Sequence, residues 1–132
     1  MQVKIREIAS GLRFPEGPVA MPDGSVVLVE IERGTISRVT PDGKIHVVAK
    51  PGGGPNGAAL GPDGKLYVCN NGGFEWRETP ETGLRPIAQA KDYSGGRIER
   101  IEPSTLTFSS RTASASMAEG GSMATRLSSC SM

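Results

Sequence analysis

The chain has 132 residues, a net charge of +1 and no basic stripe, which argues against nucleic acid or an anionic membrane as its partner. Hydrophobic residues make up 36% and aromatics 5%, low for a chain that builds its own core, while 18 Gly and 10 Pro suit many short strands joined by turns. No apolar run reaches the roughly 18 residues that span a bilayer and no secretory h-region is visible, so a cytoplasmic location is expected, with Cys69 and Cys130 unpaired.

Residues Val3-Lys4-Ile5-Arg6-Glu7-Ile8-Ala9 alternate and suggest a strand with Val3 and Ile5 on one face. Two prolines then bracket Glu16 on a stiff turn, Pro15-Glu16-Gly17-Pro18. Val19-Ala20-Met21 reads as a short strand before the turn Pro22-Asp23-Gly24, in which Pro pre-sets its own φ and Gly takes a positive one. Val26 to Glu30 is a continuous apolar run and reads as a central strand buried on both faces. Thr35 to Val39 alternates, Pro41-Asp42-Gly43 turns the chain again, and Ile45 to Ala49 supplies an outer strand. Four strands thus occupy one unit.

The plan then recurs. Pro15-Glu16-Gly17 matches Pro55-Asn56-Gly57, Pro22-Asp23-Gly24 matches Pro62-Asp63-Gly64, and Val26 to Glu30 matches Leu66 to Asn70, all displaced by 40 residues. A period near 40 with four short strands per unit is the signature of a β-propeller blade. The second copy departs after Asn71. Residues 74–95 have little strand pattern, and Gly34 to Val39 returns only at Gly96 to Ile101, 62 positions on, so 22 residues are inserted. Such insertions lie on one face of a propeller, as a solvated loop or a cover for a site. The expected fold is therefore all-β, a partial propeller, with blade units at about 14–50 and 54–103.

Residues 104–132 change character: nine Ser, three of the five Met, and no Asp, Asn, Pro or Tyr. Leu106-Thr107-Phe108 could complete a strand, but the composition reads as a disordered tail. A second reading is a shifted coding frame. Displacement by one nucleotide permits Pro, Asn and Gly at Arg111, Thr112 and Ala113, and Asp and Gly at Met117 and Ala118, the landmarks of residues 55–64.

Glu16 and Asn56 occupy equivalent positions in successive units, and in a propeller the loops opening each blade converge at one end of the channel. A carboxylate and an amide oxygen there are candidate hard ligands for a divalent cation, although two are too few for a site, and both could equally be plain turn residues. His46 reads as a surface or sheet residue, and Cys69, in an apolar run, as a small core residue. Trp76 could be a lid aromatic or simply pack on the blade. Asn70-Asn71-Gly72-Gly73 reads most simply as a turn. Gly52-Gly53-Gly54 is no phosphate loop, because neither Gly-Lys-Ser/Thr nor a helix follows.

Phe14-Pro15-Glu16-Gly17-Pro18-Val19, Gly54-Pro55-Asn56-Gly57 and Asp63 to Gly73 resemble the senescence-marker-protein (regucalcin)/gluconolactonase/luciferin-regenerating-enzyme family, over roughly residues 8–101. The resemblance implies a six-bladed propeller with one divalent metal, Ca²⁺ or Zn²⁺, in its channel and a small lactone or related ester as substrate. It implies Glu16 as a metal ligand and Asn56 as a channel residue contacting substrate or metal. The third-blade Asn and the later Asp of the family pattern have no counterpart here, so the catalytic base is expected to be absent. Gly54 stands where some members carry an Arg that contacts substrate. The expected protein is a truncated lactonase-like chain, inactive alone; the alternative is a non-enzymatic fragment that binds a partner or self-associates through open sheet faces and edges.

Overall fold

A computed structural model describes residues 2–102 and 125–128. All of the described elements are strands: β1 (Pro15–Ala20), β2 (Val26–Glu30), β3 (Thr35–Val39), β4 (Ile45–Ala49), β5 (Pro55–Leu60), β6 (Leu66–Asn70), β7 (Phe74–Thr79), β8 (Gly83–Gln89), β9 (Arg97–Ile101) and β10 (Thr125–Ser128). They form two four-stranded antiparallel sheets, β1-β2-β3-β4 and β5-β6-β9-β10, and a separate β7–β8 hairpin. These are two successive blades of a β-propeller. The tail expectation falls mostly outside the described residues, as do Leu106 to Phe108 and Cys130; within it, Thr125–Ser128 pairs with β9 from Arg97 to Arg100.

The Pro-Asp-Gly turns build themselves from local chemistry. In the first, Gly24 N–H donates to Met21 O (2.9 Å) and Met21 N–H to Ser25 O (2.9 Å), while Gly24 sits at φ 81°. That is a type I turn followed by a left-handed glycine. Asp23 Oδ1 accepts from Ser25 N–H (3.0 Å) and Ser25 Oγ (2.6 Å), and Asp63 Oδ1 likewise accepts from Lys65 N–H (3.1 Å). An arginine from the third strand closes each of these two turns, Arg38 on Asp23 and Arg100 on Asp63.

The apolar pattern sorts by strand parity. Val27 and Val29 of β2 and Ile36 of β3 point one way and are fully buried against Leu66 and Val68 of β6, with Met21 completing the cluster. Val26, Leu28 and Val39 point the other way, beneath residues 6–12. Burial on both sides of β2 is as its continuous apolar run implied.

Three expectations are corrected. Residues 2–12 form no strand: Val3 and Ile5 are 72% and 90% exposed, and no neighbouring edge pairs with them. The first strand begins at Pro15 rather than Val19, because Glu16 already pairs with Val29 across a bulge. The insertion is an ordered hairpin, paired from Phe74↔Gln89 to Thr79↔Gly83 with one bulge between Glu75 and Trp76. Its alternation is short, Phe74-Glu75-Trp76-Arg77, and Pro80 and Pro86 interrupt the strand pattern around it.

The turns also carry the acid sensitivity. The Thr40 hydroxyl, followed by the Lys44 ammonium, pushes Asp42 down to about 2, and the Ser25 hydroxyl and N–H hold Asp23 below its ordinary value. A carboxylate depressed in the folded state stabilises fully above its unfolded value near 4 and loses that contribution as pH falls through the folded value. The melting temperature is expected to fall between about pH 5 and pH 2, and less steeply in Asp42→Asn. Superimposable melting-temperature profiles for the two proteins over that window, measured by scanning calorimetry, would contradict this.

Candidate functional site at the head of the inner strands

Glu16 and Asn56 are the second residues of β1 and β5, the first strands of the two blades, and β1 packs beside β5. Glycine makes that approach possible. A β-carbon on Gly17, which sits at φ 53°, would lie 2.8 Å from Ala58 N and 2.9 Å from Gly57 Cα, so only glycine lets the two backbones meet. Both strands carry a bulge at this point, between Glu16 and Val19 and between Pro55 and Gly57. A bulge re-aims the side chain beside it, and Asn56 is the residue left without a ladder partner. Glu16 and Asn56 are both exposed, and neither engages a hydrogen-bond partner among the described residues.

What holds this end in place is a buried polar latch. Glu30, the last residue of β2, is fully buried. Its Oε2 accepts from the backbone N–H of Arg13 (2.7 Å) and from Arg33 Nη1 (2.8 Å); its Oε1 accepts from the hydroxyls of Ser37 (2.6 Å) and Thr35 (3.5 Å). Arg33 Nη2 also donates to Gly11 O (2.9 Å). The loop leading into β1 is thus tied at a donor and an acceptor.

Blade 2 repeats the device with exchanged residues. Asn70 replaces Glu30, and Glu99 on β9 replaces Ser37. Asn70 Oδ1 accepts from Gly54 N–H (2.9 Å) and Gly72 N–H (3.0 Å), while its Nδ2 donates to Gly52 O (2.8 Å) and Glu99 Oε2 (3.2 Å). Arg97 pairs with Glu99 (2.5 Å) and donates to Pro51 O (3.4 Å), as Arg33 does to Gly11. The carboxylate has changed strand, but the loop is again tied at one N–H and at a carbonyl two or three residues before it. Neither latch was recognised in the sequence, although the signal was there: a polar residue closes an apolar run at both 30 and 70.

The β7–β8 hairpin rises from the same end of blade 2 and leans onto blade 1. Trp76 packs on Phe14 with centroids 4.9 Å apart and on Phe74 at 5.9 Å, and Glu78 pairs with Arg13 (2.9 Å), which also engages Glu32. Phe14 sits at φ 55°, a left-handed conformation that costs a bulky residue about 1–3 kcal/mol. Its carbonyl accepts from Ile31 N–H (3.1 Å) and its ring is held by Trp76, so the neighbours on both sides fix it. Trp76 therefore packs across to the other blade, two residues from Glu16. Asn71 Oδ1 accepts from Gly73 N–H (2.8 Å) and, with Gly73 Cα, crowds Gly54 where a β-carbon would lie.

Cys69 is exposed, contrary to its reading as a core residue. Its equivalent, Val29, is buried only because blade 2 covers it. His46 is exposed on β4.

Residues 14–104 match the SMP-30/gluconolactonase/LRE-like region. The chain belongs to that family. A gluconolactonase of Zymomonas mobilis is 32% identical to this gluconolactonase-like chain over 120 residues, which cover 80% of the chain and 33% of the relative. The chain thus spans about a third of the length of the curated relative it matches. The family is lactonase-like. The donors Glu16 and Asn56 suit a hard divalent cation in kind but not in number: among the described residues no group of three or more His, Cys, Asp or Glu could hold a metal. Among the described residues no helix is long and apolar enough to cross a membrane.

If the latch fixes this end of the blade, truncating it will unfold more than a loop. Glu30→Ala leaves the Arg13 N–H and the Ser37 hydroxyl buried without an acceptor, and it is expected to cost about 3–5 kcal/mol in urea denaturation. Asp42→Ala, which removes an exposed ion pair, is expected to shift the urea midpoint far less. Equal losses for the two would contradict a structural role for Glu30.

Proposed function

We propose that this chain carries the opening part of a lactone-hydrolysing site, with Glu16 a ligand for a divalent metal and Asn56 a contact for substrate or metal. The observation that supports it is the placement of these two oxygen-bearing side chains, at repeat-equivalent positions, exposed and unengaged, at the heads of adjacent inner strands. The family and the gluconolactonase relative supply the substrate class, a small lactone.

Hydrolysis adds water to the lactone carbonyl carbon and breaks the ring C–O bond. A divalent metal, when bound, polarises that carbonyl as a Lewis acid. The chain's own residues do simpler work. Asn56 can donate its amide N–H to a lactone oxygen while presenting its carbonyl oxygen as an acceptor. Glu16 supplies the negative charge that draws a cation to the channel end. A general base is not among the residues identified at this end, so the chain contributes binding groups rather than the complete catalytic set, and alone it is expected to show no lactonase activity.

A chimera tests this reading. Residues 14–104 replace the matching segment of the Zymomonas mobilis gluconolactonase, and lactone hydrolysis is followed by acid release. The chimera is expected to retain turnover. Glu16→Gln within it is expected to lose more than the roughly 10–100-fold that removal of an outer-shell partner costs, and Asn56→Ala is expected to raise KM. A folded chimera whose turnover is indifferent to Glu16→Gln would overturn the assignment.

A further inference from the structure

The two lead-in loops differ by one residue. In blade 2 the latched amide is that of Gly54, and Asn56 follows it by two positions; in blade 1 it is that of Arg13, and Glu16 follows by three. Pro15 and Pro55 hold equivalent ladder positions, opposite Glu30 and Asn70, so the additional residue lies between Arg13 and Pro15. It is Phe14. Among the described residues, Phe14 is also the only one besides glycine at positive φ (55°). The left-handed kink takes up the additional residue, and β1 enters its ladder at the same point as β5.

Phenylalanine is ill suited to that conformation, because the left-handed backbone brings its β-carbon against the following carbonyl oxygen. Something beyond the residue itself has to hold it. The latch fixes the Arg13 N–H, upstream of the strained torsion, and does not set it. One backbone hydrogen bond, from Ile31 N–H to Phe14 O (3.1 Å), offsets such strain only in part. The remaining hold is the ring of Trp76, with centroids 4.9 Å apart and planes at 55°, a favourable arrangement for an aromatic pair. Trp76 is oriented in turn from the hairpin side, edge-on to Phe74 at 5.9 Å. The neighbouring Glu78–Arg13 pair is too exposed to add much.

We propose that Trp76 is the positioning residue for Glu16: by holding Phe14 left-handed, the β7–β8 hairpin of blade 2 sets the register of β1 against β5, and hence where Glu16 stands relative to Asn56. Its functional meaning rests on the lactonase-like reading of those two residues. Among the described residues the hairpin shares a ladder with neither blade, so it acts on blade 1 through side chains. The insertion is then no mere decoration of the blade that carries it. It supplies the part that the other blade needs to absorb its additional residue. Loss of the ring lets Phe14 leave the left-handed region, and the residues that follow it, Pro15 and Glu16, shift along β5.

Nuclear magnetic resonance on the 132-residue chain reads both steps. A nuclear Overhauser contact between the Gly17 α-protons and the Ala58 amide reports β1 against β5, because those groups nearly touch. Exchange of the Ile31 amide reports the Phe14 carbonyl. Trp76→Ala is expected to abolish the contact and to speed Ile31 exchange about 10-fold or more, while the Arg13 amide, held by Glu30, stays protected. Trp76→Phe, which keeps a ring, is expected to retain both signals. In the Phe14→Gly protein positive φ carries no strain, so adding Trp76→Ala is expected to change neither. Trp76→Leu carries the same expectation as Trp76→Ala and replaces it if that variant unfolds. A Gly17–Ala58 contact that survives both Trp76→Ala and Trp76→Leu would show that Trp76 does not position Glu16. An equal effect of Trp76→Ala in the Phe14→Gly background, or release of Arg13 together with Ile31, would make Trp76 a general support of the loop and contradict the assignment as well. None of these signals uses substrate or metal, so a silent Glu16→Gln in the lactonase chimera removes the functional reading and leaves this result standing.

Discussion

The structure depends on a hydrogen-bonded carboxylate taken out of water. Glu30 has no exposure, yet its two oxygens meet four donors, one of them the backbone N–H of the loop leading into β1. A buried charge without those partners would cost several kcal/mol. With them, the lead-in loop, the end of β2 and the start of β3 are obliged to occupy one arrangement. Blade 2 reaches the same result with Asn70 and Glu99. What is kept between blades is the bonding pattern: a side chain at the end of the second strand accepts from the loop N–H, and an arginine donates to a loop carbonyl two or three residues upstream of that N–H.

From that anchor the rest follows outward. The tied loops deliver β1 and β5 side by side, close enough that Gly17 admits no side chain. Bulges at the same place leave Asn56 outside the ladder and break the ladder immediately after Glu16. The hairpin then crosses from one blade to the other, pinned by Trp76 on Phe14 and Glu78 on Arg13, residues adjacent to the latch itself. Apolar packing supplies the bulk of the stability between the sheets, but it does not decide where the loops lie. The polar latch does.

Much of this was legible in the sequence because it is locally encoded. A Pro-Asp-Gly turn closes through its own Asp and Gly, and the apolar run of β2 specifies burial whatever packs on it. The displacement of 40 residues then located the second blade and paired Glu16 with Asn56. What was not legible depends on distant neighbours. Cys69 has the surroundings of a core residue along the chain and becomes exposed because its face is open. The alternating pattern of Val3 to Ala9 needs a sheet edge that the described residues do not provide. The hairpin is held by an aromatic pair and an ion pair to residues more than 60 positions away. The latch lay between these cases: Glu30 was aligned with Asn70, but only three-dimensional placement shows that both reach the same loop.

The most direct measurement of this account is amide hydrogen exchange at Arg13 and Gly54. Both amides lie in loops, outside any strand, and their acceptors are buried side chains. They are expected to be protected as strongly as the amides of β2 and β6, and Glu30→Ala is expected to release Arg13 while leaving Gly54 protected. If Arg13 exchanges as fast as exposed loop amides in the parent protein, or is unaffected when Glu30 is removed, the latch does not organise the blade and the account is wrong.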